Sequence, residues 1–474
     1  MESTREHFDS FVAKIADYSA EHKLLPSQGG RVLAAVSGGG DSIALLTVLM
    51  ELASRYGFSV VAAHLNHNLR DRESDSDEVF VAEYCRTHGI ELIAKKLPAG
   101  SLNTSGKSLE TAARDARIMF LEEAVIQCGA DRIASGHSMD DQVETVLQRL
   151  LRGTGPAGLA GILPMRDSLW IRPLLSSGRQ EIRDFLDNAN IEYRNDSSNN
   201  DTSFFRNSLR LELLPLISER YSPAFRDGIM RLSELSRQQE DFLGNIVENS
   251  FNDCVIVANP FKILLDKSMF EDYHNVVKQR IVMIDGCGRD TDMREIETVL
   301  DMFNTDRAEI DLSGSVRFGV EKSIAAFIRE KQHDAPSKLT IEGRTTLPTG
   351  CGTVEVTKTA HAVKVDGIES VIVPESIIDT HGNLSAGTAA AGERITPFGM
   401  NEPVKIRDII AQHVPKILRN HIPVVRAGAV PIWIPGIRSS EILRMREPQL
   451  TGKMSGGAVY RLKLTGGITR SMFR

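Results

Sequence analysis

Between Ala34 and Ser42 the chain reads AAVSGGGDS, three glycines and an aspartate bracketed by serines after an apolar run. Gly38, Gly39 and Gly40 carry no side chains, so main-chain N–H groups there can turn toward one point and approach it closely. A helix starting near Asp41 adds the positive end of its dipole, and Ser37 and Ser42 add hydroxyls. Such a bend suits a phosphate or pyrophosphate. Asp41 does not suit a bare anion, and a magnesium ion held by one carboxylate and phosphate oxygens would account for it. The plainer alternative is a strand-to-helix turn with Asp41 as helix cap. The spacing is not that of a Walker loop or of GxGxxG. The superficially similar GSLNTSGKS has five residues between its glycines, Gly100 and Gly106, and reads as a loop and helix cap.

Other chemistry-bearing groups lie further along. HLNHNLR brings His64, His67 and Arg70 to the end of a second strand, as an adenine and phosphate surface or as histidines in a turn. SGHSMDDQVET places His137 just past another strand and Asp140, Asp141 and Glu144 within one helical turn. Like carboxylates at that spacing repel unless a cation or proton resolves them. Magnesium or a substrate ammonium would serve, with capping and a solvated acidic face as the alternative. Val143, Val146, Leu147 and Leu150 are expected to hold that helix against a sheet. Arg114 and Arg117 lie one turn apart, and Arg206, Asn207 and Arg210 in FFRNSLR form a basic strip. Five scattered cysteines without a CxxC read as free thiols.

The elements that must position these groups follow from periodicity. RVLAAVS, SVVAAHLNH, IELIAKKL, DRIASGHS and LWIRPLL read as buried strands, separated by helical patterns over 41–56, 74–88, 109–128 and 140–152. That alternation predicts an α/β fold: a Rossmann-like parallel sheet with helices on both faces and ligands at the carboxyl ends of its strands. At 474 residues the chain is too long for one ordinary core. The expected boundaries are a catalytic domain over 1–215, a helical linker over 216–250, a smaller α+β domain over 251–335, a β-rich connector over 336–390 and a last α+β domain over 391–474.

Charge is uneven. The chain carries −7 overall, yet residues 394–474 hold 14 Lys/Arg against 4 Asp/Glu. A basic tail on an acidic body can hold a polyanion at one end. No apolar run reaches the ~18 residues of a membrane span, and the mixed-charge N-terminus lacks a signal-peptide core, so a cytoplasmic protein is expected.

SGGGDS resembles the pyrophosphate loop of the N-type ATP pyrophosphatases, whose fold is that of the adenine nucleotide alpha hydrolases. With HLNHNLR, ETAARDAR, GHSMDDQVET, RGTG, IRPLL and NDSSNNDTSFFRNSLR, in order over about 30–215, the chain is similar to the tRNA(Ile)-lysidine synthetases. The likeness continues more weakly through DLSGSVRF and from GERITPFGM to IPGIRSSE. The chain departs from that family where Arg117 is followed by Ile118 and where Lys405 and Arg407 alternate.

The resemblance implies an enzyme using ATP and Mg²⁺ to join free lysine to carbon 2 of the wobble cytidine of an isoleucine tRNA with a CAU anticodon. The intermediate is an adenylated cytidine, and a homodimer is common in the family. It implies Ser37, Gly38, Gly39, Gly40, Asp41, Ser42, His64, His67 and His137 at ATP, with Asp41 on magnesium. Asp41, Asp140, Asp141, Glu144, Arg114 and Arg206 would be catalytic, and Arg70, Arg210, Lys405, Arg407 and Arg419 would contact tRNA. A tRNA thiolase would want clustered cysteines, and a GMP synthetase a glutaminase signature. A non-catalytic RNA-binding module would not need the four carboxylates.

Overall fold

In the computed structural model, Ala34, Ala62 and Ala134 stand side by side on neighbouring parallel strands. The structure describes residues 2–69, 72–102, 104–106, 108–194, 205–287, 292–329, 336–347, 352–359, 365–444 and 459–465. The chain divides into two compact units, Met1–Phe242 and Leu243–Arg474.

The first unit opens with helix α1 (Glu2–Glu21) and continues β1 (Arg31–Ala35), α2 (Gly40–Tyr56), β2 (Ser59–Asn66), α3 (Arg72–Thr87), β3 (Glu91–Lys96), α4 (Leu109–Cys128), β4 (Arg132–Ala134) and α5 (Met139–Arg152). After a short α6 (Pro156–Leu159) come β5 (Met165–Arg166), β6 (Trp170–Ile171), α7 (Arg179–Asn188), α8 (Phe205–Ser208), a π-helical turn Leu209–Leu213, α9 (Leu214–Arg220) and, as far as Phe242, α10 (Phe225–Cys254). The sheet order is β3-β2-β1-β4-β6-β5. All pairs are parallel except β5 with β6, an antiparallel edge the sequence did not announce.

The central strands β1, β2 and β4 are apolar over their buried stretches because both faces are covered, whereas the edge strand β3 carries Glu91, Lys95 and Lys96 exposed. Val32 and Ala34 face one core with α1, α2 and α7, whereas Leu33 between them faces another with Phe120, Leu121 and Ala124 of α4. Strand order reverses beside β1, since β2 lies on one side and β4 on the other. That switch point opens a crevice at the carboxyl end of β1, where SGGGDS begins.

The helix α5 is not held as its sequence pattern suggested. Val143, Val146 and Leu147 pack with Leu209, Leu214 and Ile229 from the later helices, and Leu150 is 49% exposed. The apolar stripe therefore recruits 205–229 as a flank of the site instead of gripping the sheet.

In the second unit, a five-stranded antiparallel sheet runs Val255–Asn259, Lys262–Asp266, Ile324–Arg329, Val316–Glu321, Arg307–Leu312 in spatial order. Two further sheets of five and four strands follow, the latter pairing Thr353–Thr359 with Val459–Thr465 across 100 residues of chain. Leu264, Ile324, Ala326 and Ile328 share one core with Ile395, Ile406, Ile410 and Ile434. Within this unit, the expected 251–335 and 391–474 segments thus bury apolar surface against each other. Among the described residues no helix is long and apolar enough to cross a membrane.

Candidate active site

The glycine bend is closed by its own serines: the Ser37, Gly38 and Gly39 amides, expected to turn toward a ligand, all donate to hydroxyls within the bend. Gly38 has φ +92°, a value L side chains avoid, and Gly39 leads into α2 in extended conformation. Ser42, expected to offer its hydroxyl outward, is buried and organises the bend instead. Its Oγ accepts from the Ser37 and Gly38 amides, both at 3.1 Å, and donates to the Gly39 carbonyl at 2.8 Å. The bend is anchored from outside by Arg194, whose amide donates to the Gly38 carbonyl at 2.9 Å.

Asp41 sits in the first turn of α2. Burial, then the neighbouring charge of Asp141, pushes its carboxyl up to about 6 despite the opposing charge of Arg179. Burial normally disfavours the charged form, so this carboxylate gains from a nearby cation.

Asp140, Asp141 and Glu144 come together as expected and are all buried. Asp141 is also half of a capping box: it accepts from the Ser138 amide at 2.8 Å while Ser138 Oγ caps the helix. The cations that resolve the cluster are guanidinium groups. Arg206 donates through Nε to Glu144 at 2.7 Å and through Nη2 to Asp141 at 3.0 Å. Arg210 grips Glu144 with Nε at 2.7 Å and Nη2 at 3.2 Å. Arg226 pairs with Asp140. Burial pushes the Glu144 carboxyl up, but the hydrogen bonds and charge of Arg210 and Arg206 outweigh it and leave it below the usual range.

Arg179, not singled out from the sequence, is the hub of this web. Its amide donates to Asp140 at 2.7 Å, Nη2 to Asp141 at 3.0 Å and Nη1 to Glu144 at 3.3 Å, and its Nε lies 3.9 Å from Asp41. The first turns of α2, α5 and α7 therefore converge on one point. A cation opening a helix opposes the helix dipole. That conflict in GRQEI, right after a glycine, was the available signal. Gly136 was also missed. A Cβ there would lie 2.9 Å from the Asp41 carbonyl oxygen, so the end of β4 and the start of α2 can meet only at a glycine.

The three expected imidazoles, His64, His67 and His137, lie near the carboxyl ends of β2 and β4. His64 is buried, and its Nδ1 lies 2.9 Å from the Val36 carbonyl, so Nδ1 is the donor there. Its Nε2 and the His67 Nδ1 are buried and have no partner among the described residues. Burial, then the charges of Arg117 and His64, holds His67 below the ordinary value. Burial pushes His137 down to about 4 against the opposing charge of Asp141, and its Nδ1 meets Ser135 Oγ at 2.9 Å.

The remaining expected residues divide. Arg114 is exposed on α4, and its charge bears on Arg117, Arg149 and Arg172, so it belongs to a cationic arc. Arg210, expected to face RNA, is committed to Glu144, because the buried carboxylate needs a fork of donors. Arg70 lies outside the described residues, as does the 195–203 loop. In the second unit Lys405 and Arg407 are exposed. Arg419 instead donates to the Val414 and Ala411 carbonyls at 3.0 and 3.2 Å and caps the helix Ile406–His413.

Comparison with known proteins places the chain in a family. Residues 10–217 match the PP-loop domain family. A tRNA(Ile)-lysidine synthase of Geobacter sulfurreducens is 32% identical, the alignment covering 92% of this chain and 95% of the relative. That of Symbiobacterium thermophilum is 30% identical over 90% and 93%, and that of Clostridium tetani 27% over 89% and 93%. An ATP-using PP-loop unit, joined to a second unit along nearly the full length of these relatives, makes this chain a member of the tRNA(Ile)-lysidine synthase family of tRNA-modifying enzymes.

Proposed function

We propose that the chain joins lysine to carbon 2 of the wobble cytidine in an isoleucine tRNA with a CAU anticodon, through an adenylated cytidine. The observation that carries this reading is the meeting of three helix N-termini and a glycine bend at Asp41 and Arg179. Such a point attracts a polyphosphate from several sides.

In this reading the bend from Ser37 to Ser42 receives the triphosphate, with His64, His67 and His137 as contacts to the nucleotide. The desolvated Asp41 carboxylate fits one corner of a magnesium shell. Among the described residues no group of three or more His, Cys, Asp or Glu could hold a metal, and magnesium on a nucleotide needs only one or two carboxylates. When bound, magnesium would screen the phosphate oxygens.

The carbon-2 carbonyl oxygen of cytidine attacks the α-phosphorus and pyrophosphate leaves. In this reading Arg114 and Arg206 stabilise the charge that develops. Lysine enters as an ammonium of pKa about 10.4 and must lose a proton to attack carbon 2, whereupon AMP departs with the former carbonyl oxygen. Its ammonium reaches Asp141 or Glu144 by taking the place of a guanidinium. Of the three that reach these acids, Arg206 is the most exposed.

The basic residues of the second unit hold the tRNA, with Lys405 and Arg407 at phosphates. The test is incubation with ATP, labelled lysine and the CAU isoleucine tRNA. Label in RNA with AMP and pyrophosphate release is expected, and label that enters without ATP would sink the adenylate route.

A further inference from the structure

The second unit carries an exposed turn that neither the fold nor the catalytic web uses. Residues 397–400 close with the Met400 amide on the Pro397 carbonyl at 2.9 Å, and Gly399 takes φ +87°. The turn is fastened to 438–441 at several points. The Phe398 amide donates to the Ser439 carbonyl at 2.9 Å, the Gly399 amide to Glu441 Oε2 at 2.6 Å, and the Glu441 amide to the Thr396 carbonyl at 2.7 Å. Arg438 Nη2 donates to the Phe398 carbonyl at 3.3 Å. The backbone is thus fixed, while the Phe398 and Met400 side chains each remain 46% exposed. The Arg444 guanidinium lies 5.2 Å from the Phe398 ring centroid and is steadied by Glu441 at 2.7 Å.

A second, independent observation gives the sign of the partner. Arg394 and Lys405 are paired directly opposite each other on a two-stranded antiparallel ladder, and Arg407 follows in an exposed position. Among the described residues no carboxylate is ion-paired with any of the three. Like charges across a ladder destabilise it, and an anionic ligand removes that cost.

We propose that Phe398, with Arg444 and Met400, is a stacking platform for an unpaired base in the 3′ single strand of the tRNA, adjoining the phosphate contacts of Arg394, Lys405 and Arg407. The inference rests on the reading that the second unit holds tRNA. A rigid aromatic corner beside guanidinium groups suits single-stranded RNA, since every base has a π-face and helical RNA buries its own. The anticodon loop is committed to the catalytic unit, and the D and T loops of a tRNA pair with each other. The 3′ strand is the free stack end that remains.

The experiment measures binding of CAU isoleucine tRNA to the full chain across a salt titration, with the intact RNA and with one lacking its 3′ single-stranded nucleotides. Phe398→Ala is expected to weaken the intact RNA about tenfold or more, with an unchanged salt slope, while Phe398→Trp binds like the parent. The shortened RNA should bind parent and Phe398→Ala chains equally. An equal loss for both RNAs, or no loss for either, overturns the proposal, as does an acidic protein competing at this turn while tRNA ignores Phe398. The underlying reading fails separately: Lys405→Ala with Arg407→Ala would then leave affinity and salt slope unmoved.

Discussion

Gly136 packs so closely on Asp41 that a Cβ at position 136 would sit 2.9 Å from the Asp41 carbonyl oxygen and 3.0 Å from its carbon. Backbone there cannot move aside without tilting the first turn of α2, which carries the glycine bend. Gly136→Ala should cost about 1–3 kcal/mol by overpacking and weaken ATP binding more than lysine binding. Thermal unfolding with separate ATP and lysine titrations checks this, and an unaltered ATP affinity would contradict it.

Asp41→Asn should remove ATP-dependent transfer of lysine and yet raise stability near neutral pH. Burial pushes the carboxyl up to about 6 in the folded chain, from an ordinary value of 3.8. The folded state therefore binds more protons between those values, and ionised Asp41 lowers stability as pH rises through that window. The gain from Asn, on the order of 1–3 kcal/mol, should be absent below pH about 4, grow to about pH 6 and stay level above. Melting curves across that range decide it.

Glu144→Gln leaves three guanidinium groups around a neutral amide. Loss of about 3–5 kcal/mol is expected for an uncompensated buried charge. In the parent chain this carboxyl is held below its ordinary value, so its contribution is present above about pH 4.5 and disappears as pH falls through the folded pKa. Equal acid sensitivity of parent and variant would tell against the web.

Arg179→Lys keeps the charge but not the fork, and one ammonium cannot meet Asp141, Glu144 and Asp41 together. We expect a fall in kcat of tenfold or more with intact tRNA affinity. A change confined to tRNA binding would show that Arg179 acts elsewhere.

Replacing Lys405 and Arg407 together by Ala should reduce the salt slope of tRNA binding by about one per lost phosphate contact. Truncation at 391 is a poorer test, because Ile395, Ile406 and Ile410 fill the same core as Leu264 and Ile328.

Much of this molecule is written locally. Short apolar runs alternating with helical patterns indicate strands buried on both faces, and the three glycines of SGGGDS favour a bend, so the α/β sheet and the position of that bend follow from neighbours in sequence. The clustering of Asp140, Asp141 and Glu144 follows in the same way from helical spacing. What those acids meet does not. Arg179, Arg206, Arg210 and Arg226 arrive from 35 to 86 residues away. Only the packing of Val143, Val146 and Leu147 against Leu209, Leu214 and Ile229 brings three of them within reach. A stripe of apolar residues states that a face will be covered and is silent about what covers it. Charge partners chosen by such packing, like the glycine that lets two backbones touch, are decided by tertiary structure alone.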